Sequence, residues 1–189
     1  MEIQNREFVE RFSDKQVRTQ LDFEIYQAIN YFIRYQLGLS KEVEKLFLES
    51  ENIDVRAKRE EIYGKKNVFI ETMNRLFKQT DKVIDSDENE RVIFRQGNTI
   101  LAPYQLSSGE KQILIILMKV LLQNNKPAIL IMDEPEISMH LEWQEELIDM
   151  ITQLNENVQI IIATHSPGIM MKGWLDKVTE IHTITKDSK

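Results

Sequence analysis

The chain has 189 residues, with 24 Lys+Arg against 31 Asp+Glu and a formal net charge of −7. That length suits one domain, or one domain with an appendage. An apolar share of 42% excludes wholesale disorder, and the acidic balance excludes a broadly basic nucleic-acid coat. The absence of cysteine removes disulfide scaffolds and cysteine-ligated zinc. The longest apolar run, Ile113 to Leu122, is broken by Lys119 and is shorter than the ~18 residues of a membrane span. The opening MEIQNREFVERF has no basic-then-apolar leader. A cytoplasmic chain with no membrane partner is the expectation.

The first eighty residues read as helices. Phe8 and Phe12 lie four apart, and Leu21, Ile25, Ile29 and Phe32 repeat at helical spacing up to Gly38, read as a C-terminal stop. Ser40 is read as the cap of a second helix carrying Val43, Leu46 and Phe47. The charged stretch Glu51 to Lys66 reads as an exposed helix or a turn between helices, and Asn67 opens an amphipathic run through Phe69, Met73, Leu76 and Phe77. Val83-Ile84, Arg91 to Arg95 and Thr99 to Ala102 then form short β-like runs separated by DSDEN and QGN, a small antiparallel meander. An apolar helix follows from Glu110 to Leu122, punctuated by Lys126-Pro127. Ala128 to Met132 reads as a buried strand, Leu141 to Leu154 as a helix, and Val158 to Ala163 as a second, fully apolar strand. That alternation predicts an α/β layer with parallel strands. Met118, Met132, Met150 and Trp143 are assigned to packing, and His182 to a structural place in a late β-like run.

Three segments carry chemistry. In Leu106-Ser107-Ser108-Gly109-Glu110-Lys111-Gln112 a Ser and a Gly open a helix, where a hydroxyl, free N–H groups and the positive dipole end suit a phosphate. The plainer alternative is a Ser-capped helix with a permissive glycine. The strand Ala128–Met132 runs into Asp133-Glu134-Pro135-Glu136, two acids at the carboxyl edge of a sheet, where open α/β folds bind ligands. One carboxylate can hold Mg²⁺ through its water shell while its neighbour orients or deprotonates a water. Finally, Val158–Ala163 ends in Thr164-His165-Ser166-Pro167, which puts a histidine at the same edge.

The order LSSGEKQ, AILIMDEPE, IIIATHSP resembles the ABC-type ATPases, above all the branch of RecF-like, SMC-like and OLD-like ATPases and the AAA-type ATPases of antiphage systems. LSSGEKQ resembles the family signature, ILIMDE the Walker B strand with its glutamate, and THS the switch histidine. Ile137-Ser138-Met139-His140 matches the D-loop position, with Leu141 where the family often has proline. The resemblance covers residues 83 to 184. The family's G-x-x-x-x-G-K-S/T phosphate loop is not found in these residues: Gly64-Lys65 is preceded by Arg59 at the first glycine position, and Gly173 is followed by Trp174.

The resemblance implies a fold and a site. The fold would be the C-terminal part of a P-loop ABC-ATPase head, with residues 1–80 as a helical insertion or arm and 81–189 as the C-terminal lobe. With ATP and Mg²⁺ as ligands of the complete protein, Asp133 would order the metal, Glu134 would position the attacking water, and His165 would touch the γ-phosphate. Ser107, Ser108, Gly109 and Glu110 would serve nucleotide held by an opposite subunit, with Ser138 and His140 linking the two sites. The implied partner is a second copy or a chain carrying the phosphate-loop lobe, and the implied setting is DNA repair or phage defence. Two other readings stand beside this one. The first is a non-catalytic half-head that lends its signature face to a partner. The second is a helical DNA-binding module using Lys58, Arg59, Lys65 and Lys66.

Overall fold

Four amphipathic helices and two small sheets are built around one apolar core in a computed structural model that describes residues 17–49, 54–86 and 92–184. Helix α1 (Gln20–Glu49) starts on a reciprocal cap. The Asp22 carboxylate accepts from the Arg18 and Thr19 N–H groups, and the Thr19 hydroxyl accepts from Asp22 N. Helix α2 (Val55–Phe77) is capped by Asp54, which accepts from Arg56 N and Ala57 N.

Two expected helix boundaries are corrected. Gly38 does not stop α1 and Ser40 does not cap a new helix. The hydroxyl of Ser40 bonds back to the Gln36 carbonyl at 3.1 Å, and buried Leu39 keeps the apolar face continuous. Likewise Asn67 opens nothing, because α2 already runs from Val55 with its charged first half outside the core. Phe8, Phe12, Arg91 and most of DSDEN lie outside the described residues.

Strands β1 (Lys82–Ser86), β2 (Val92–Gln96) and β3 (Thr99–Leu101) form the expected antiparallel meander, with Ile84 paired to Phe94 on the buried face. Helix α3 (Ser108–Leu121) runs through the centre of the molecule. From Ile113 to Leu121 all of its side chains but Lys119 are buried, in contact with α1, α2 and α4 (Leu141–Leu154). Phe32 of α1 meets Phe69 of α2 at 5.4 Å between ring centres, so residues on both sides of position 80 share one core. Met118, Met150 and Trp143 are fully buried in it, and Met132 nearly so.

Strands β4 (Ala128–Asp133) and β5 (Val158–Ala163) pair in parallel, register Ala128 to Val158 through Asp133 to Ala163. The prediction that both are buried throughout is corrected. Leu130, Met132, Ile160 and Ile162 face the core, but Ile129, Ile131 and Ile161 are 64%, 73% and 48% exposed. The reason is layering: helices cover one face of this pair and nothing among the described residues covers the other, although parallel sheets ordinarily bury both. Short helices α5 (Pro167–Met171) and α6 (Ile181–Ile184) complete the described chain. The expected late β-like run is therefore helical at residues 181–184. No helix among the described residues is long and apolar enough to cross a membrane.

Candidate functional site

Helix α3 begins on a capping box that the S-x-x-E spacing permits. The Ser107 hydroxyl accepts from Glu110 N at 3.2 Å, while the Glu110 carboxylate accepts from Ser107 N at 2.7 Å. The capped-helix alternative therefore describes the local geometry, and the Ser107 hydroxyl keeps its own proton to donate. Ser107 and Ser108 are exposed, Gly109 and Glu110 buried. Glu110 is the expected nucleotide-face residue whose side chain points inward. It accepts from the Thr80 hydroxyl at 2.6 Å and from Lys82 Nζ at 2.9 and 3.1 Å. Burial pushes its carboxyl up, but the Thr80, Lys82 and Ser107 donors outweigh this and hold it below the usual range. One residue on, Lys111 pairs with Asp22 at 2.6 Å with both groups nearly buried, which pins α1 to α3. Burial raises the Asp22 carboxyl as well, and Lys111, the Arg18 N–H and Thr19 bring it below its ordinary value.

Gly109 is fixed by contact. A Cβ on it would stand 2.1 Å from the Ser138 carbonyl oxygen and 3.5 Å from the Met139 Cα. Only a bare Cα lets the start of α3 lie against the loop of residues 134–140. That loop is tightly turned, with Ile137 N donating to Glu134 O and Met139 N to Glu136 O, and with Glu134 (φ 44°) and Ser138 (φ 67°) in the left-handed region. His140 follows, exposed, its ring edge-on to Trp143 at 4.9 Å. Trp143 Nε1 donates to Gln79 at the end of the helical portion.

At the carboxyl edge of the parallel pair, Asp133 ends β4 and Glu134 N extends the ladder by one bond to Ala163 O at 2.8 Å. Asp133 is exposed and Glu134 half-buried. His165 lies opposite, its Nε2 3.3 Å from a Glu134 oxygen and its side chain 89% exposed. Glu134 and His165 are thus brought together, and the signature segment meets the loop at Ser138–Met139 instead.

Two residues that were not singled out lie between these loops. Glu136 accepts from the Thr164 hydroxyl and from His165 N at 3.2 Å, and its second oxygen is buried without a partner. Burial raises the Glu136 carboxyl, but Thr164, its own backbone, Glu134 and the His165 N–H lower it below the usual range. Gln144 of α4 donates to Met139 O at 2.9 Å and accepts from the Ser166 hydroxyl. The available signal for Glu136 was a third acid only three residues past Asp133; nothing in spacing marks Gln144. The cation cluster is dispersed into local contacts: Lys58 pairs with Glu61, Lys65 with Glu156 and the Gln153 carbonyl, and Arg59 and Lys66 lie over the Tyr63 ring.

Residues 38–171 match the family model described as "AAA domain, putative AbiEii toxin, Type IV TA system". The chain belongs to this family. Family membership bears out, at that level, the ABC/AAA-type ATPase kinship read from the motif order. "Retron Ec83 probable ATPase" of Escherichia coli is 32% identical over 41% of this chain and 16% of its own length. "Retron Vc95 probable ATPase" of Vibrio cholerae serotype O1 biovar El Tor is 22% identical over 68% of this chain and 27% of its own. "Peptide transport system ATP-binding protein SapD" of Escherichia coli O157:H7 is 33% identical over 42% of this chain and 24% of its own. This AAA-domain chain therefore spans less than a third of the length of these relatives. A solved structure titled "Crystal structure of the SmcHead bound to the C-winged helix domain of ScpA" aligns with a TM-score of 0.41 and 13% identity, over 61% of this chain and 40% of that one.

Proposed function

We propose that this chain supplies the signature, Walker B and switch-histidine part of an ATPase that hydrolyses ATP between two heads. The observation that carries the reading is the Glu134–His165 pair at the carboxyl edge of β4 and β5, beside the uncovered isoleucine face. A carboxylate 3.3 Å from an imidazole can orient a water and take its proton, with the histidine contributing a hydrogen bond to transferred phosphoryl charge. Ser107, Ser108 and the start of α3 would face nucleotide held by the opposite subunit. Glu110 would act there by holding that start in place, and Ser138 with His140 would link the two sites.

The donor set bears on the metal. No three metal-binding side chains gather among the described residues, which fits Mg²⁺, an ion that keeps waters and takes one or two carboxylates plus substrate phosphates. Asp133, exposed at the strand end, is the carboxylate that fits. Bound Mg²⁺ would neutralise phosphate charge; the residues' own tasks remain holding, orienting and accepting a proton.

The phosphate loop would come from a further polypeptide portion covering Ile129, Ile131 and Ile161, in the same protein or in a partner, and a second copy would complete the composite site. The helical residues 1–80 would form an arm and 81–189 the lobe. The toxin–antitoxin title of the family and the two retron-named relatives favour phage defence in the cytoplasm over DNA repair. The runner-up is a non-catalytic half-head; the unlayered sheet face supports that as well.

The test is Glu134→Gln in the protein that includes the phosphate-loop portion. Turnover is abolished while nucleotide binding is kept and the ATP-bound dimer accumulates, since the amide keeps shape but accepts no proton. Normal turnover would reduce Glu134 to a turn residue. The 189-residue chain alone binds MgATP weakly in calorimetry; tight binding would mean a phosphate cradle elsewhere in the chain.

A further inference from the structure

His165 has almost nothing to hold it. Its side chain is 89% exposed and meets Glu134 only across 3.3 Å. Whatever fixes the imidazole must therefore fix its backbone. Three bonds do so: His165 N donates to Glu136, the Thr164 hydroxyl donates to the same Glu136 oxygen, and Ser166 N donates back to that hydroxyl at 2.9 Å. The carboxylate of Glu136 is the node at which the loop leaving β4 is tied to the loop leaving β5. Beyond the last ladder bond, Glu134 N to Ala163 O, the backbone makes no further rung between the two loops.

We propose that Glu136 is a positioning residue that clasps the 164–166 loop and so sets His165 against Glu134. The proposal rests on the ATPase reading for its purpose, but not for its geometry. A glutamate is required by reach and by acceptor strength: one oxygen serves two donors from another strand's exit. Its other oxygen lies in a buried place with no partner, so nothing there demands the negative charge. Glutamine retains the accepting oxygen and replaces the idle one with an amide nitrogen. It therefore keeps the clasp, whereas alanine opens it. Thr164→Val opens it from the other side and Thr164→Ser restores it.

The experiment has two readouts. In the 189-residue chain, amide hydrogen exchange at His165 and Ser166 is measured by NMR, with Ile113 to Leu117 as an internal check on folding. Opening the clasp in Glu136→Ala or Thr164→Val raises exchange at these two amides by about tenfold or more, since local opening becomes cheap there. Glu136→Gln and Thr164→Ser stay near the parent. In the protein with its phosphate-loop portion, Glu136→Ala lowers kcat about a hundredfold, the scale of an ångström-sized misplacement, with KM for ATP nearly unchanged. Glu136→Gln recovers most of that rate.

Unchanged exchange in Glu136→Ala and Thr164→Val would overturn the clasp, as would Glu136→Gln behaving like alanine. Raised exchange with unchanged kcat would overturn its positioning role. If exchange responds as expected while Glu134→Gln still turns over, the clasp stands and it is the ATPase reading that fails. Should Glu136→Ala not fold, the valine and serine variants of Thr164 carry the same comparison.

Discussion

At the start of α3, Glu110 is fully buried with its carboxylate bonded to Thr80, Lys82 and the Ser107 N–H, and Lys111 is locked to Asp22. At the ends of β4 and β5, Asp133 stands in solvent, His165 has one polar neighbour, and the adjoining sheet face shows three isoleucines. The first region satisfies its polar groups with the chain's own residues; the second leaves them facing outward. Stability is concentrated in one and receptivity in the other. A residue in a recognisable motif can therefore be mainly a brace, as Glu110 is.

The comparison is broken most severely at the Lys111–Asp22 pair. Lys111→Met leaves a nearly buried carboxylate uncompensated and should cost about 3 kcal/mol or more in urea unfolding, with much of the loss recovered by adding Asp22→Asn. A loss within error would mean that the carboxylate rehydrates and α1 is not pinned. Gly109→Ala comes next, at about 1–3 kcal/mol, because its Cβ must displace the Ser138 carbonyl. Exposed Ser108→Ala, one position away, serves as the control. A stable Gly109→Ala protein would show that the 134–140 loop yields.

A smaller effect is the acid sensitivity of the braced region. The folded Glu110 carboxyl lies below its ordinary 4.5, so its share of stability is full above that value and lost as pH falls through the lower folded one. Melting temperatures followed from about pH 6 down to about pH 3 should fall less steeply in Glu110→Gln. Equal slopes would sink the assignment. The smallest effect belongs to the open region: Ile131→Ser, 73% exposed, should shift the isolated chain by no more than about 0.5 kcal/mol and improve its solubility. Met132→Ala on the opposite face should cost about 2 kcal/mol. Equal losses at the two positions would mean that both faces are covered in solution.

Much of this architecture was legible. The order of meander, central helix, strand, helix, strand follows from apolar runs and turn formers, and the S-x-x-E spacing forecasts how α3 begins. Gly38 misled because glycine is a helix stop only where the buried stripe ends, and Leu39 carries the stripe onward. The isoleucines misled differently: an unbroken aliphatic run states what a strand prefers, not how many layers surround it. The ties of Glu110 to Thr80 and Lys82, of Lys111 to Asp22, and of Glu136 to Thr164 span 28 to 89 residues. No local pattern encodes such partners, since they depend on how distant elements come together.

The backbone of Glu134 carries one more consequence. At φ 44° it occupies a region that costs an ordinary L-residue about 1–2 kcal/mol and glycine almost nothing. Survival pressure on folding alone, as in a display library sorted for protease resistance, would enrich Gly or Asn at this position. Each winner would be sturdier and would lack the carboxylate assigned to the attacking water. A thermostabilised lineage bred without an activity screen would thus fall silent here first, and sequencing it would reveal the toll that chemistry levies on this one peptide unit.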